Sequence, residues 1–268
     1  MNDDEISRFA NQLLEAYDTR APIPPITDEA PNASVNDAYA VQLSQVERWL
    51  EQGRRISGFK VGLTSRAMQR QLGVDSPDFG HLFDDMVLDG AAPIPLDWFI
   101  APRIEPEISF VLGSDLVGPG LVMTDLLRAI DYAIASVEII DSRIADWRIG
   151  LVDTIADNAS SGALVLGSRA IAVNDIDLAL VGNTLSRNGD IVTTGAGAAV
   201  LGHPLNGALF LANTLGSLGR ALPAGSIVMA GALSASVPIA PGDTFVARFS
   251  SLGDLTVRFS SLQSGDAS

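Results

Sequence analysis

Pro102-Arg103-Ile104-Glu105-Pro106-Glu107-Ile108-Ser109-Phe110-Val111-Leu112 is the stretch on which the reading of this chain turns. Its period of two predicts a β-strand, with Ile104, Pro106, Ile108 and Phe110 on one face and Glu105, Glu107 and Ser109 on the other. Carboxylates two residues apart on a strand point the same way and repel, unless a cation lies between them or the face is the solvated side of an edge strand. A second apolar run, Ile134-Ala135-Ser136-Val137-Glu138-Ile139-Ile140, is interrupted by a single acid. Burying Glu138 unpaired would be costly or would shift its pKa strongly. With no cysteine and two histidines in the chain, an ion held by these acids would be a hard, oxygen-loving one such as Mg²⁺, Mn²⁺ or Ca²⁺ rather than zinc.

Upstream lies Gly58-Phe59-Lys60-Val61-Gly62-Leu63-Thr64-Ser65, which holds the only lysine; the other sixteen of the seventeen basic residues are arginine. A desolvated lysine can give up its proton near neutrality, whereas arginine in practice cannot. Lys60 is therefore a candidate proton carrier, and a lysine snorkelling from the core edge is the alternative. Val74-Asp75-Ser76-Pro77-Asp78-Phe79-Gly80 is rich in turn formers and places Asp78 before an aromatic residue and a glycine. Downstream, Asp157-Asn158-Ala159-Ser160-Ser161-Gly162 gathers an amide, hydroxyls and a glycine ahead of a short apolar strand. Such groups suit a carboxylate ligand, and they equally suit capping and turn formation.

Further out, residues 4–17 and 34–52 carry helical periodicity, the second opened by Ser34 or Asn36 and closed by Gly53, with a proline-rich link between them. From Ile56 the texture changes to short apolar runs punctuated by glycine, proline and asparagine, which predicts a β-rich domain. Arg187-Asn188-Gly189-Asp190 is a hairpin turn, and a helix begins with Pro204 at its first position after His203. The expected organisation is a helical layer over residues 1–55, a β-rich metal-dependent catalytic domain over 56–260, and a frayed tail over 261–268. Gly195-Ala196-Gly197-Ala198-Ala199-Val200 does not satisfy the dinucleotide fingerprint, because valine stands at the sixth position and no acid follows at the ribose distance. No local serine-nucleophile motif supports a Ser-His-Asp triad.

A length of 268 residues allows one large domain or one with a small appendage, and a net charge of −15 argues against nucleic acid and anionic membranes as partners. The start, Met1-Asn2-Asp3-Asp4-Glu5, is acidic, so no secretory signal and a cytoplasmic location are expected. Between Thr194 and Gly242 the only charge is Arg220. A stretch so poor in charge belongs in a core, a homo-oligomeric interface or both.

Taken together, the Lys60 segment, Leu72-Gly73-Val74-Asp75-Ser76-Pro77-Asp78-Phe79-Gly80, the Glu105 segment, Val137-Glu138-Ile139-Ile140-Asp141-Ser142-Arg143, Val152 to Gly162 and Leu201-Gly202-His203-Pro204-Leu205-Asn206 resemble the 2-keto-4-pentenoate hydratases of the fumarylacetoacetate hydrolase superfamily. The resemblance implies an α+β fold, a mixed rolled sheet with a small helical N-terminal part. It implies Mg²⁺ or Mn²⁺ held by Glu105, Glu107 and Glu138, catalysis by Lys60 with Asp78, and assembly as a pentamer or decamer. Asn158, Ser160 and Ser161 are the candidates for holding the substrate carboxylate. The implied reaction is hydration of 2-hydroxypenta-2,4-dienoate. The alternatives are a decarboxylase of the 4-oxalocrotonate type, which the resemblance disfavours through Asp78 and the Asp146-Trp147 stretch, and a non-catalytic domain braced by a metal.

Overall fold

The computed structural model describes residues 1–66, 69–70 and 74–261. Leu72 and Gly73 of the resemblance, and all of the expected tail beyond residue 261, lie outside the described residues. Two long helices open the chain, α1 (Asp3–Thr19) and α3 (Val35–Glu51), joined through a single turn, α2 (Ile26–Glu29). Ser34 caps α3 in a reciprocal box with Asp37, and Gly53 turns the chain out at φ +90°. Phe9, Ala10 and Leu13 of α1 pack with Ala38 and Val41 of α3 and with Ile144, Ile155 and Ala156, tying the helical layer to the remainder of the chain.

The strands follow in chain order: β1 (Ile56–Gly62), β2 (Asp78–Phe83), β3 (Val87–Leu88), β4 (Arg103–Leu112), β5 (Ile130–Ile140), β6 (Ser161–Leu166), β7 (Gly182–Arg187), β8 (Asp190–Ala196), β9 (Ile227–Ala232), β10 (Val237–Pro238), β11 (Thr244–Phe249) and β12 (Gly253–Arg258). Helices α4 (Met123–Ala129), α5 (Leu151–Ala156) and α6 (Pro204–Ser217) are interspersed. The large mixed sheet runs β2-β1-β9-β4-β5-β6-β3, with β10 added beside β4, and curls into a half-barrel; a second sheet runs β12-β11-β7-β8. The fold is α+β, as expected. The Asn188-Gly189 turn joins β7 to β8 with both residues at positive φ, the geometry that a two-residue hairpin requires.

β4 lies between β5 and β9, so the carboxylates of Glu105 and Glu107 do not face solvent from a sheet edge. The charge-poor stretch forms α6 and β9, and its Val200, Leu205, Leu211, Leu215, Val228 and Ala230 lie in the main core. Its lack of charge is thus largely explained within one chain. Among the described residues no helix is long and apolar enough to cross a membrane.

Candidate metal centre and active site

In the β4–β5 ladder Glu105 stands directly opposite Glu138, and Glu107 opposite Ser136. Directly opposed residues on one face bring their Cβ atoms to about 5 Å, a destabilising arrangement for like charges without a counter-ion. One carboxylate oxygen from each of Glu105, Glu107 and Glu138 lies within 4.8 Å of the others. Three charges at that spacing repel by roughly 3 kcal/mol per pair at an effective dielectric near 20. Glu107 and Glu138 are buried, and Glu105 is half-buried. Glu107 accepts a hydrogen bond from the Gly231 amide at 3.0 Å, whereas both oxygens of Glu138 are buried without a hydrogen-bond partner. Orphaned, converging oxygens of this kind fit a hard divalent cation with oxygen ligands.

Lys60, on β1, points to the same place. Its Nζ lies 3.4 Å from Glu138 Oε1 and donates to the Ala159 carbonyl at 2.8 Å. Burial alone would pull the ammonium down, but Glu138, Asp78, Glu105 and Glu107 outweigh it and hold Lys60 above the ordinary lysine range. Burial pushes the carboxyl groups the other way. Burial raises Glu138 to about 7 against the pull of Lys60, burial and its two acidic neighbours raise Glu107 well above the ordinary carboxylate range, and burial raises Glu105 and Asp78. Asp78 is buried at the start of β2 opposite Gly62. A side chain at Gly62 would collide with the Asp78 carboxylate, so glycine there admits the acid to the site.

The segment 158–160 has an unusual backbone: Asn158, Ala159 and Ser160 all lie at φ between 50° and 53°. Left-handed conformation costs each non-glycine residue roughly 1–2 kcal/mol. Here it aims the Ala159 carbonyl at Lys60. The Asn158 side chain accepts from the His81 amide at 2.8 Å and donates to the His81 carbonyl at 2.9 Å, closing the outer edge of β2 as a neighbouring strand would. Gly80 allows the turn to approach, since a Cβ there would run into the Asn158 carbonyl and the Ser161 hydroxyl. Of the three residues suggested for carboxylate binding, Asn158 is committed to β2 and Ser160 lies 3.3 Å from the Thr154 hydroxyl. Ser161 keeps a buried hydroxyl with no partner.

Several contributors had no clear sequence signal. The Ala159 carbonyl and Gly231 amide are backbone groups. Arg143, buried against Asp157 at 2.5 Å and stacked on Tyr17, braces the segment before the turn. His81 bonds Gln42 at 3.0 Å and approaches Arg220 at 3.4 Å. Arg103 could have been found, because the alternation that pairs Glu105 with Glu107 places it on the same face.

The family model described as fumarylacetoacetate (FAA) hydrolase C-terminal matches residues 59–260. The chain is 48% identical to the 2-keto-4-pentenoate hydratase of Paraburkholderia xenovorans (strain LB400) over 254 residues, 95% of this chain and 94% of that one. It is 40% identical over 249 residues to a 4-oxalocrotonate decarboxylase of Pseudomonas putida, 93% of either chain. Among solved structures, the 4-oxalocrotonate decarboxylase from Pseudomonas putida G7, complexed with magnesium and adipate, superposes with a TM-score of 0.93 at 38% identity, covering 97% of this chain and 98% of that one. With its acidic triad and lysine inside the matched residues, the chain belongs to the fumarylacetoacetate hydrolase family.

Proposed function

We propose that this chain is a metal-dependent hydro-lyase that adds water to 2-hydroxypenta-2,4-dienoate, or a close homologue, to give a 4-hydroxy-2-oxo acid in the breakdown of aromatic compounds. The observation that carries the reading is the convergence of three carboxylates, Glu105, Glu107 and Glu138, beside a single buried lysine. Two relatives at 48% identity named as 2-keto-4-pentenoate hydratases support the hydratase form of the reaction. Glu105, Glu107 and Glu138 would hold Mg²⁺ or Mn²⁺, and a divalent ion there supplies stabilisation of negative charge on a 2-oxygen and neighbouring carboxylate.

Lys60, kept charged by its acidic neighbours, is the acid that delivers a proton to C5 as the dienol ketonises, and the proton leaving the 2-hydroxyl restores it. Asp78, raised by burial, takes a proton from the water whose oxygen adds at C4 and returns one to C3. The Ala159 carbonyl holds one N–H of Lys60 and so fixes the direction in which the other two point. Ser161, the uncommitted hydroxyl, is the candidate donor to the substrate carboxylate; Asn158 and Ser160 act through the turn. We further propose a cytoplasmic homo-oligomer, a pentamer or decamer by likeness to the family.

A decarboxylase is the second reading, favoured by the superposition on the P. putida G7 enzyme. Incubating the protein with Mg²⁺ and 2-hydroxypenta-2,4-dienoate separates the two. Loss of the dienol absorbance without CO₂ release is expected. No turnover of this acid, with CO₂ released instead from 2-oxo-hex-enedioate, would reverse the assignment.

A further inference from the structure

Arg103 opens β4 on the same face as Glu105 and Glu107, about 7 Å along the strand from Glu105. Its Nε donates to the Ser236 hydroxyl at 2.7 Å and its Nη2 to the Ser236 carbonyl at 3.1 Å. The guanidinium carbon lies 5.9 Å from the Trp147 ring, whose indole N–H is itself pinned to the Ala101 carbonyl at 3.0 Å. Asp146 and Trp147 both sit at positive φ, so the backbone bends in a disfavoured way to present this ring. Among the described residues no acid forms an ion pair with Arg103, and Nη1 has no protein partner. The side chain lines a cavity of about 470 Å³ whose other walls include Leu96, Phe99, Ile100, Trp147 and Ile239, with Asp97 as its one acid.

Arg103 is held by neutral groups and is in no ion pair, its acidic influence being the nearby Glu105, in a chain whose net charge is −15. Next to it, Glu105, Glu107, Glu138 and Asp78 exceed in charge one divalent ion and one ammonium together, which leaves the reaction pocket opposed to an anionic ligand. We propose that Arg103, on the ligand face of β4, receives the carboxylate of the incoming 2-oxo acid from the 470 Å³ cavity that it lines, a contact the three glutamates cannot supply. Two bonds to Ser236 pre-set the guanidinium, so little freedom is lost when Nη1 takes an anion. The proposal rests on the reading of the substrate as an anionic 2-oxo or 2-hydroxydienoic acid.

The probe is 2-oxopentanoate, a saturated acid with no double bond to hydrate, titrated into Mn²⁺-loaded protein by calorimetry and by indole fluorescence. Losing a charge-assisted hydrogen bond in Arg103→Gln should weaken its binding by about ten- to hundredfold. Arg103→Lys should recover part of that loss, and raising the salt concentration should weaken binding to the wild type more than to the Gln variant. In turnover, KM should rise in step while kcat stays within about threefold. Unchanged affinity for 2-oxopentanoate would overturn the proposal. So would an equal loss of Mn²⁺ affinity, read by electron paramagnetic resonance without organic acid, because Arg103 would then act only as a neighbour of Glu105. If Arg103→Gln does not fold, Ser236→Ala removes one of the bonds that aim the guanidinium and should weaken the same binding to a smaller extent; no change would count against the proposal. A wild type that binds 2-oxopentanoate in an Arg103-dependent way yet hydrates no dienoate would leave the subsite standing and remove the hydratase reading.

Discussion

Lys60 is the residue on which the proposed chemistry depends. Its environment favours the ammonium, and burial without the acids would favour the amine, so its charge state is poised by what occupies the acidic triad. Arginine would keep the charge and the contact with Glu138 but hold its proton too firmly to pass on. Lys60→Arg should therefore retain 2-oxopentanoate binding while kcat falls by a factor of about a hundred or more. Near-normal kcat in that variant would make Lys60 a charge-balancing group and require another acid. Lys60, Glu105, Glu107 and Glu138 were legible in the sequence because each breaks a local rule, a lone lysine among arginines or acids in apolar strands. The Ala159 carbonyl was not legible, since nothing about an alanine signals left-handed backbone, and the Asn158 side chain is engaged with the His81 backbone, a pairing that no local pattern encodes.

At the scale of elements, β2 is the edge of the large sheet and is fastened by side chains instead of by another strand. Gln42 of α3 donates to the Phe79 carbonyl at 3.0 Å and accepts from His81 Nδ1–H, and Asn158 closes on the His81 backbone. Burial, helped by Arg220, depresses His81 to about 3. Its unfolded value is near 6.5. Between these limits the unfolded chain binds a proton that the folded one refuses, so the contribution of His81 to stability is present above pH 6.5 and is lost as pH falls toward 3. The expected slope is up to about 1.4 kcal/mol per pH unit, read as free energy of unfolding by denaturant titration. His81→Gln cannot titrate and should flatten that part of the profile; an unchanged slope would mean that other groups set the acid sensitivity. Helices α1, α3 and α6 and the β7–β8 hairpin were legible from caps, periodicity and the Asn-Gly turn, whereas α2, α4 and α5, of four to seven residues, are too short to show a period. The sheet order was not, because β1 and β9 pair in parallel across most of the chain, and no local pattern encodes so distant a partner.

For the whole molecule, the charge-poor stretch was a weaker pointer to assembly than it looked, since α6 and β9 spend most of its apolar surface in their own core. The better pointer is the open edge of the small sheet. Ile191 and Val192 on β8 are 65% and 42% exposed, and Leu180 just before β7 is 74% exposed. An outer strand with unpaired backbone and apolar side chains invites pairing or packing with another copy. A net charge of −15 on each chain opposes that association. Screening should then help, so raising ionic strength from about 0.01 M to about 0.15 M, which shortens the Debye length from about 30 Å to about 8 Å, should strengthen the assembly. Sedimentation velocity at micromolar protein should show a homo-oligomer whose mass shifts toward smaller species on lowering salt or on replacing Leu180 and Ile191 together by Asp. Circular dichroism on the same samples separates loss of assembly from loss of fold. A wild-type monomer at both ionic strengths would leave the exposed edge of β8 without a partner copy and the proposed assembly without support.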